Sequence, residues 1–489
     1  MQRAGAAAAA EIVHRFADRL AQGVVVATGP GNNGGDGWVV AHALHAAGVR
    51  VRVVECMLAR TPDALAERQV ALAAGVHVDE EADALSGGDE QIVVDALIGT
   101  GMRDDEPLTG VLARAVTSLH IRQQHGADIV ALDVPTGLDA TSGLHVGAPR
   151  CALTLTFGTL KRGHLVARDR CGTIVVLDIG LGAYTESAGV ARLATAAWFR
   201  GALPPIGASA HKGTRGKVAI IGGAEGMAGA VVLAARGALR SGAGMVKCVV
   251  AKESLLAVQQ AEPAALVSTW PTSDEPFSDS IAGWADVLLI GPGLGRVRAR
   301  ELVERALRVF RGPVVLDADA LNVFARDVEA LAPLLSDRVS LLTPHPAEFA
   351  RLVDRDVDEV LSTRFDSPRA LAVRTGATVL LKGVPTVISS PNGETTVVAE
   401  GTPVLATGGS GDVLGGIAAT LLAQTDDAHR AGALAAFAHG RAASLMSMIQ
   451  VRGYTLDDVL AVLPGVWTVE VPAPRPPLLA ELPAVGEHG

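Results

Sequence analysis

The chain has few aromatic side chains and no excess of positive charge. Phe, Trp and Tyr together make up 3% of its 489 residues, so surfaces on which single-stranded nucleic acid stacks are scarce. Lys and Arg number 42 against 52 Asp and Glu, which gives a net charge of −10. This balance argues against general binding to nucleic acids or to anionic membranes. Any anionic ligand must therefore be held locally, by backbone amides and a few cations.

Cysteines and long apolar runs are also scarce. The four cysteines, Cys56, Cys151, Cys171 and Cys248, are scattered without metal-ligand spacing, which predicts reduced, buried thiols and not a zinc site or a disulfide framework. No apolar run reaches the roughly 18 residues that a membrane-spanning helix needs, and the weakly hydrophobic start is not typical of a signal peptide. We therefore expect a cytoplasmic protein without a membrane partner.

What the chain does contain is two series of short β-branched runs that alternate with helical stretches. Hydrophobic residues at 49% and charged residues at 19% are typical of a well-buried globular protein, and the length favours two domains. The alternation predicts an α/β fold with parallel sheets covered on both faces. The expected organisation is a first domain over residues 1–190, a linker over 191–210, a second domain over 211–468 and a mobile Pro-rich tail over 469–489.

In the first domain, polar side chains stand among glycines directly after the first strand. The segment Gly29–Gly37 contains Asn32, Asn33 and Asp36, before a helix expected from Trp38 onwards. This pattern favours a loop that holds phosphates or a ribose with backbone and side chains. The alternative is a flexible turn in which Asp36 caps the following helix.

Two carboxylates follow later strands of the same domain. Asp95 and Asp133 each end a strand and each run into a Gly-containing loop. Because the carboxyl ends of parallel strands meet at one edge of the sheet, we expect the two side chains to lie near the polar loop. One of them suits cation binding and the other suits proton chemistry.

In the second domain, the stretch Thr407–Asp412 carries the strongest signal. Its glycines let the backbone approach a ligand closely, and the apolar helix that follows offers free N–H groups and a positive dipole end. Asp412 in the first turn would accept a proton from a hydroxyl that receives a phosphoryl group. An ordinary Gly-rich turn capped by Asp412 is the other interpretation.

Earlier in this domain, His345 and Glu348 stand at HxxE spacing within the segment TPHPAE. The pair suits either a metal site or a substrate contact, and we favour His345 as a substrate contact because this spacing alone is a weak metal signature.

Four motifs of the first half occur together in a recognisable order. They are GNNGGDG, DALIGTG, DVPTGLDA and Thr156-Phe157-Gly158 followed by Lys161. On these motifs, residues 1–190 resemble the NAD(P)H-hydrate epimerase domain, which implies a Rossmann-like three-layer sandwich. The resemblance implies Asp133 as the acid–base residue and potassium ligands at Asn33, Asp95 and Thr136. It also implies substrate contacts at Asn32, Asn33, Gly34, Gly35 and Asp36, and at Gly99, Thr100, Gly101, Met102, Arg103, Asp104 and Asp105.

The second half carries GPGLG, DADALN, TPHPAE, LKG and GGSGD in that order. On these motifs, about residues 198–468 resemble the ADP-dependent NAD(P)H-hydrate dehydratase of the ribokinase-like superfamily. The resemblance implies Asp412 as the base and magnesium as a cofactor of phosphoryl transfer. It implies that Ala230, Gly293 and His345 contact the hydrate. The adenine nucleotide would be held by Lys382, Gly383, Val384, Pro385 and Thr386, with the amides of Gly409, Ser410 and Gly411 as an anion hole.

These resemblances predict a bifunctional enzyme that repairs hydrated NADH and NADPH. One domain would interconvert the R and S hydrates, and the other would dehydrate the S hydrate with ADP, or with ATP, through a transient phosphate ester. We further expect a homo-oligomer without a nucleic-acid partner. The alternative is a kinase for a sugar or vitamin, fused to a non-catalytic binding domain.

Overall fold

The computed structural model describes the chain with six gaps, over residues 1–102, 107–181, 190–271, 281–448, 452–471, 473 and 475–485. These residues form two α/β units. The first unit takes residues 1–181 and resumes near the C-terminus at residues 473–485, and the second takes residues 190–471. Within the described ranges, no helix is both long and apolar enough to cross a membrane.

The first unit is built on an eight-stranded sheet in the order β18-β7-β6-β5-β4-β1-β2-β3. All its pairs are parallel except β18 with β7. Its strands are β1 (Val24–Thr28), β2 (Val51–Glu55), β3 (His77–Asp79), β4 (Ile92–Ala96), β5 (Asp128–Leu132), β6 (Leu153–Phe157), β7 (Thr173–Leu177) and, near the end of the chain, β18 (Leu478–Leu482). Its helices are α1 (Gln2–Arg15), α2 (Asn32–Ala46), α3 (Pro62–Ala73), α4 (Gly110–Gln124), α5 (Arg162–Val166) and α6 (Arg168–Cys171).

Helices cover both faces of this sheet. The residues of β1 alternate between two apolar clusters, one on each face. Val24 and Val26 pack in a cluster with α1 and α2. Val25 and Ala27 pack in a second cluster with α4. Successive side chains of a strand point to opposite faces, so a strand buried on both faces reads as a continuous apolar run. The first unit is therefore the three-layer sandwich that the sequence predicts.

The second unit is built on a ten-stranded sheet in the order β11-β10-β9-β12-β13-β14-β15-β16-β17-β8. Pairing is parallel from β11 to β15, antiparallel from β15 through β17, and parallel between β17 and β8. Its strands are β8 (Arg192–Leu193), β9 (Lys217–Ile221), β10 (Met245–Val250), β11 (Leu266–Thr269), β12 (Val287–Ile290), β13 (Val314–Leu316), β14 (Ser340–Leu342), β15 (Thr378–Leu381), β16 (Thr386–Ser389) and β17 (Thr395–Val398). Strands β16 and β17 form an antiparallel hairpin around Pro391-Asn392-Gly393.

The helices of the second unit also cover both faces of its sheet, with one apolar cluster on each. They are α7 (Ala196–Ala202), α8 (Ala228–Arg240), α9 (Leu255–Ala261), α10 (Ala299–Val309), α11 (Asp319–Asn322), α12 (Val328–Leu335), α13 (Pro346–Val353), α14 (Val357–Ser362), α15 (Ser367–Thr375), α16 (Ser410–Thr425), α17 (Ala428–Ser447) and α18 (Leu456–Val466).

Each sheet has a switch point at which the strand order reverses. In the first unit it lies between β1 and β4, and in the second between β9 and β12. The chain leaves two such strands in opposite directions, which opens a crevice at their carboxyl ends where ligands of open α/β sheets bind. Ligand-binding residues are therefore expected at these two places.

The expected mobile tail over residues 469–489 is wrong for its central part. Residues 478–482 form β18, which pairs with β7 and buries Leu482. Just before it, Arg475 Nη1 lies 2.7 Å from Glu11 Oε1. The Pro-rich composition suggested a chain without a partner, but apolar residues at alternate positions pair with the open edge of a sheet formed much earlier in the sequence.

The expected linker over residues 191–210 is likewise wrong for its first half. Strand β8 pairs with β17, and α7 places Phe199 in the core, where its ring stacks on Phe437 at a centroid distance of 4.6 Å. An aromatic side chain buried in this way contributes to stability through its apolar area, so this segment is part of the second unit.

A chain that ends at residue 471 should have a less stable first unit than the full chain. It loses β18 and leaves Glu11, which is almost fully buried, with Arg15 as its remaining cation. We expect a loss of about 2 kcal/mol or more from these contacts, and each kcal/mol lowers Tm by roughly 2–4 °C at this domain size. Thermal unfolding followed by circular dichroism measures the shift. A chain that ends at residue 485 is the control; equal Tm values for the two truncations would contradict the role of β18.

Candidate active sites in the two units

Helix α2 brings the Asn-Gly motif to the switch point of the first unit. The helix begins at Asn32, so the expected loop is in fact the first turns of a helix. Glycine makes this possible because α2 lies directly on the strand ends. A Cβ at Gly34 would lie 2.0 Å from the carbonyl oxygen of Gly29, and one at Gly37 would lie 2.6 Å from Ala96 Cβ.

The side chain of Asn33 points into the crevice without a protein partner. Its amide oxygen and nitrogen are both buried and make no hydrogen bond within the described residues. A Cβ at Gly99 would lie 3.4 Å from Asn33 Cγ and 3.3 Å from Asp133 Oδ2, so these three residues meet. Buried polar groups almost always have partners; an orphaned amide at a switch point therefore indicates a ligand site.

Asp95 and Thr136 form a buried pair beside this crevice. Asp95 Oδ2 accepts from the Thr136 amide at 2.8 Å, and Asp95 Oδ1 accepts from Thr136 Oγ1 at 2.7 Å and from the Leu97 amide at 3.2 Å. Burial raises the pKa of Asp95, and these hydrogen bonds offset part of that rise. The carboxylate is therefore held rigidly, with oxygen atoms directed at the loops that follow β4 and β5.

Asp133 follows β5 and has a backbone φ of +64°, a left-handed conformation that is uncommon outside glycine. Its Oδ1 accepts from Thr156 Oγ1 at 3.1 Å and from Lys161 Nζ. Lys161 also donates to Thr156 Oγ1 at 2.7 Å. Buried His164 accepts from the Lys161 amide at 3.3 Å and has a pKa lowered to about 4, chiefly by burial. A carboxylate and an ammonium group are thus fixed side by side, a pair that can exchange a proton with a ligand.

Asp36 lies deeper in α2 than Asn33. Burial raises the pKa of Asp36 to about 7, and the negative charges of Asp133 and Glu67 raise it further while the N-terminal amine lowers it. Near neutral pH the carboxyl group is therefore present in both protonation states, which is typical of a functional position.

The other residues predicted to contact the substrate in the first unit differ in their exposure and in what they face. Gly35 faces α3, because a Cβ there would lie 2.6 Å from Met1 Sδ and 3.1 Å from Ala64 Cα. The other expected contacts are Asn32, Thr100 and Gly101, which are exposed, and Met102, which is buried. Arg103, Asp104 and Asp105 lie outside the described residues.

In the second unit, α16 carries the Gly-rich motif at its N-terminus. Gly409 is the N-cap residue with φ +91°, and Asp412 stands in the first turn of the helix, as predicted. A side chain at Gly409 would be strained by this φ and would also lie 2.5 Å from Leu233 Cδ1. The Ser410 amide donates to the Thr407 carbonyl at 3.2 Å, which differs from the prediction that it belongs to the anion hole. The amides of Gly409 and Gly411 make no hydrogen bond within the described residues, so the start of α16 suits an anion.

Lys382, directly after β15, links this helix terminus to two carboxylates. Its Nζ lies 2.8 Å from Asp317 Oδ1 and 3.8 Å from Glu348 Oε2, and a Cβ at Gly411 would lie 3.2 Å from it. Burial lowers the pKa of Lys382, but the charges of Asp317 and Glu348 outweigh burial and raise it overall. The ammonium group is therefore charged and stands beside the helix N-terminus.

Asp412 shares this charged cluster. Burial raises the pKa of Asp412 to about 7; the charges of Asp317, Asp319 and Glu348 raise it as well, and Lys382 lowers it. With this pKa, about half of the Asp412 carboxyl groups are ionised at neutral pH. The carboxylate can therefore act as a base that accepts a proton and later releases it.

His345 caps α13 beside the same cluster. Its Nδ1 accepts from the Ala347 amide at 3.1 Å, and its own amide donates to Glu348 Oε2 at 2.9 Å. Because Nδ1 accepts a hydrogen bond, the proton of the neutral ring is on Nε2. The side chain is half-exposed at 46%, so it can donate to a ligand.

Ala230 and Gly293 meet at the switch point of the second unit. Gly293 has φ +55°, and a Cβ there would lie 3.0 Å from Ala230 Cβ and 2.8 Å from the carbonyl oxygen of Met227. The residues predicted to hold the nucleotide lie further along the sheet. Gly383, Val384 and Pro385 lie between β15 and β16, and Thr386, the first residue of β16, donates from Oγ1 to the Gly383 carbonyl at 2.9 Å. Ser410 opens α16 and is buried.

Four functional candidates were missed from the sequence. Thr156 and Lys161 were quoted only as parts of a motif, although Thr156 lies on β6 and Lys161 follows that strand. Asp317 and Thr343 lie beside Lys382, with Thr343 Oγ1 donating to Asp317 Oδ1 at 2.8 Å. Asp317 and Thr343 directly follow β13 and β14, so their position at the ends of parallel strands was the available signal.

Comparison with known proteins is consistent with both sites. A family model described as NAD(P)H-hydrate dehydratase matches residues 218–464, and one described as YjeF-related protein N-terminus matches residues 1–163. The bifunctional NAD(P)H-hydrate repair enzyme Nnr of Salinibacter ruber is 35% identical over 95% of this chain and 91% of its own length. That of Escherichia coli strain K12 is 34% identical over 96% and 90%. The chain belongs to this family.

Solved structures agree for the second unit. An ADP/ATP-dependent NAD(P)H-hydrate dehydratase of Bacillus subtilis, co-crystallised with ATP and Mg²⁺, matches with a TM-score of 0.52 and 29% identity over 57% of this chain and 98% of that one. A ribokinase-like superfamily protein of Enterococcus faecalis matches with a TM-score of 0.52 and 23% identity over 58% and 96%. The predicted ribokinase-like fold and the predicted family are thereby confirmed.

Replacement of Asp412 by Asn should stabilise this family member at high pH and not at low pH. The folded chain holds the Asp412 proton with a pKa of about 7, above the ordinary value of 3.8. The charged carboxylate therefore destabilises the folded state increasingly as pH rises from about 4 to 7, by at most a few kcal/mol. We expect Asp412→Asn to raise Tm at pH 8 and to leave it nearly unchanged at pH 4.5.

The control for this measurement is Asp426→Asn, an exposed substitution at the other end of α16. It removes one negative charge from the same helix without touching the cluster. A Tm difference for Asp412→Asn that does not depend on pH would show that Asp412 carries no raised pKa.

Proposed function

We propose that this chain repairs hydrated NADH and NADPH, as its relatives' names state for them. The first unit interconverts the two hydrate epimers, and the second removes water from the S hydrate with ADP or ATP. The observation that carries the proposal is the site of the second unit, where a helix N-terminus, a charged lysine and a base of suitable pKa surround one open position. Membership in the repair family identifies the hydroxyl to be phosphorylated as the one on the hydrated nicotinamide ring.

The second unit would first make the hydroxyl a better leaving group. Asp412 takes the hydroxyl proton while the oxygen attacks the terminal phosphorus of the nucleotide. The amides of Gly409 and Gly411 and the ammonium of Lys382 would stabilise the charge on the transferring phosphoryl oxygens, whereas the Ser410 amide already donates to the Thr407 carbonyl. The bond from that phosphorus to the bridging oxygen breaks, and ADP leaves as AMP.

The ring then expels phosphate. The lone pair of the ring nitrogen forms a double bond to the neighbouring carbon as the carbon–oxygen bond breaks, and phosphate departs with the bonding electrons. Loss of a proton from the adjacent ring carbon restores the dihydronicotinamide. Water is thus removed overall, at the cost of one phosphoanhydride bond and without any redox change.

The residues of this site fit magnesium that arrives with the nucleotide. No group of three or more His, Cys, Asp and Glu side chains is arranged to hold a metal ion within the described ranges. Mg²⁺, however, needs only one or two carboxylates in addition to phosphate oxygens. Asp317 and Glu348 would hold it, since Asp317, Glu348 and Asp412 outnumber the one ammonium of Lys382. The ion supplies charge neutralisation at the phosphates.

The first unit would act by proton transfer alone. Inverting the hydroxyl-bearing carbon requires one group that gives a proton to the departing oxygen and one that takes a proton when oxygen returns on the other face. Asp133 and Lys161 stand side by side in the crevice and provide this pair. Asn33 and Gly99 border the same space, so the hydrated ring would lie against them.

The first unit also fits the potassium ion that the family resemblance implies. The orphaned amide oxygen of Asn33, the carboxylate of Asp95 and the hydroxyl of Thr136 are hard oxygen donors in one crevice. A monovalent cation would satisfy the Asn33 oxygen and neutralise Asp95. Its contribution would be to orient the substrate at this position.

The proposal predicts how each epimer behaves. Purified full-length protein is given the R or the S hydrate of NADH or NADPH, with ADP, with ATP or without nucleotide, and recovery of the reduced-nicotinamide absorbance is followed. We expect full recovery from both epimers when nucleotide is present and none without it. Asp412→Asn should abolish recovery, and Asp133→Asn should limit it to the S epimer.

Two results would contradict this reading. A stable phosphorylated product without recovery of absorbance would favour the small-molecule kinase. Recovery from only the S epimer in the wild-type chain would show that the first unit does not catalyse epimerisation.

Lys161→Met should slow epimerisation by about 100-fold, because general acid–base groups contribute about 10² to 10⁴ in rate. The ammonium beside Asp133 is lost while the length of the side chain is kept. Conversion of the R to the S hydrate is measured by chromatography without nucleotide, and Lys161→Arg should restore part of the rate. Dehydration of the S hydrate by the same preparation is the internal control. An unchanged epimerisation rate in Lys161→Met would remove Lys161 from the site.

A further inference from the structure

A second cavity opens at the same edge of the sheet in the second unit. Its volume is about 480 Å³, within the range of roughly 300–1,000 Å³ that is typical of small-molecule sites. Its walls come from the ends of four neighbouring strands, β11, β10, β9 and β12. The residues that decide its chemistry are Glu225, Met227, Glu253, Trp270, Arg296 and Arg298.

This cavity adjoins the predicted contacts of the hydrated ring and lies away from the predicted nucleotide residues. Leu294 and Gly295 line it directly after Gly293, and Met227 lines it where its carbonyl meets Gly293. Lys382 and the residues that follow it stand at the end of β15, with β13 and β14 between them and β12. The cavity is therefore on the side of Gly293 that faces away from the predicted nucleotide residues.

We propose that this cavity holds the adenosine half of the hydrated dinucleotide, an inference that rests on the proposed function of the second unit. The nicotinamide half would occupy the catalytic position, and the pyrophosphate would pass the backbone at Gly293–Gly295. The positive φ values of Gly293 and Gly295 keep side chains out of this passage. Substrate binding would then be shared by two subsites at one sheet edge.

The cavity offers a flat aromatic wall. Trp270 Nε1 donates to the carbonyl oxygens of Gly222 at 3.1 Å and Val249 at 3.0 Å, which fixes the orientation of the indole ring. The ring itself is only partly buried and lines the cavity. A fixed aromatic face stacks well on an adenine base.

The cavity also offers one cation for a phosphate group. Arg298 donates to Glu301 at 2.8 and 3.0 Å, and Arg305 lies 3.8 Å from the same carboxylate. Arg296 is exposed at the cavity and makes no ion pair or hydrogen bond within the described ranges. It can therefore contact either the 2′-phosphate of the NADPH hydrate or the pyrophosphate that both hydrates share.

Besides Glu301, which pairs with arginines, two further carboxylates line the cavity. Glu225 and Glu253 are exposed and, like Arg296, have no ion-pair partner in the part of the chain that is described. Carboxylates accept hydrogen bonds from ribose hydroxyls, whereas arginine suits a 2′-phosphate. A cavity with both groups is consistent with acceptance of both hydrates.

Steady-state dehydration of the S hydrates of NADH and NADPH tests the proposal with full-length protein at saturating ADP. Arg296→Glu should raise KM about tenfold for at least one hydrate, with kcat changed less than twofold. A rise confined to the NADPH hydrate would assign Arg296 to the 2′-phosphate, and an equal rise would assign it to the pyrophosphate. Trp270→Ala should raise KM for both hydrates.

The control is Arg308→Glu, an exposed charge reversal on α10, the helix that begins three residues after Arg296; Arg308 pairs with Glu304 at 2.9 Å outside the cavity. It should leave both KM values unchanged. The proposal would be overturned if Arg296→Glu and this control had equal KM values for both hydrates. Arg296 is exposed and unpaired within the described residues, so its replacement should not prevent folding.

Binding of adenosine 2′,5′-bisphosphate gives a readout that does not require turnover. Titration calorimetry at saturating ADP and Mg²⁺ should detect one site in the wild-type chain, weakened about tenfold in Arg296→Glu. No binding, or equal binding by both chains, would overturn the proposal. Failure of the repair function would appear separately, as wild-type protein that binds the bisphosphate but recovers no reduced nicotinamide.

Discussion

In each unit, the two loops that leave the strands at the switch point cross so closely that no side chain fits between them. Both sites depend on this crossing. A Cβ at Gly29, after β1, would lie 1.8 Å from the carbonyl oxygen of Leu97, after β4. In the second unit, a Cβ at Gly222, after β9, would lie 1.9 Å from the carbonyl oxygen of Pro292, after β12. Non-bonded atoms do not approach so closely, so only glycine fits at these crossings. The crossings position the loops that carry the ligand-binding groups, and every other feature of the two sites is arranged around them.

Unbalanced charge in a poorly solvated crevice is the second property that the sites share. Burial raises the pKa of Asp36 in one unit and of Asp412 in the other to about 7. In the second unit one ammonium group stands among three carboxylates, which destabilises the protein without ligand and favours a cation with bound phosphate. This unbalanced charge lowers the stability of the ligand-free protein, which is consistent with a functional site. Binding of nucleotide and metal would restore the balance of charge.

The two units apply one architecture to different chemistry. In each, a helix begins at the carboxyl ends of the parallel strands with glycines in its first turns, and its first turns carry an acidic side chain with a pKa of about 7. In the first unit the crevice contains an orphaned amide and a carboxylate–ammonium pair, which suit proton transfer. In the second it contains open helix amides and Lys382, which suit a phosphoryl group. Under the proposed function, fusion of the two is chemically sensible, because the epimerase would supply the one epimer that the dehydratase would accept.

Local sequence determined most strands and the first turn of α16. The short apolar runs Leu153–Phe157 and Met245–Val250 are strands in the structure, because a continuous run of buried apolar residues is a local signal. Tertiary structure alone decided the start of α2, where close packing outweighs the low helix propensity of glycine. It also decided the pairing of β18 with β7, and contacts such as Lys382 with Asp317, 65 residues apart. Such contacts depend on the order of strands in the sheet, which no local pattern encodes, and they determine which of the many polar residues at strand ends meet in one site.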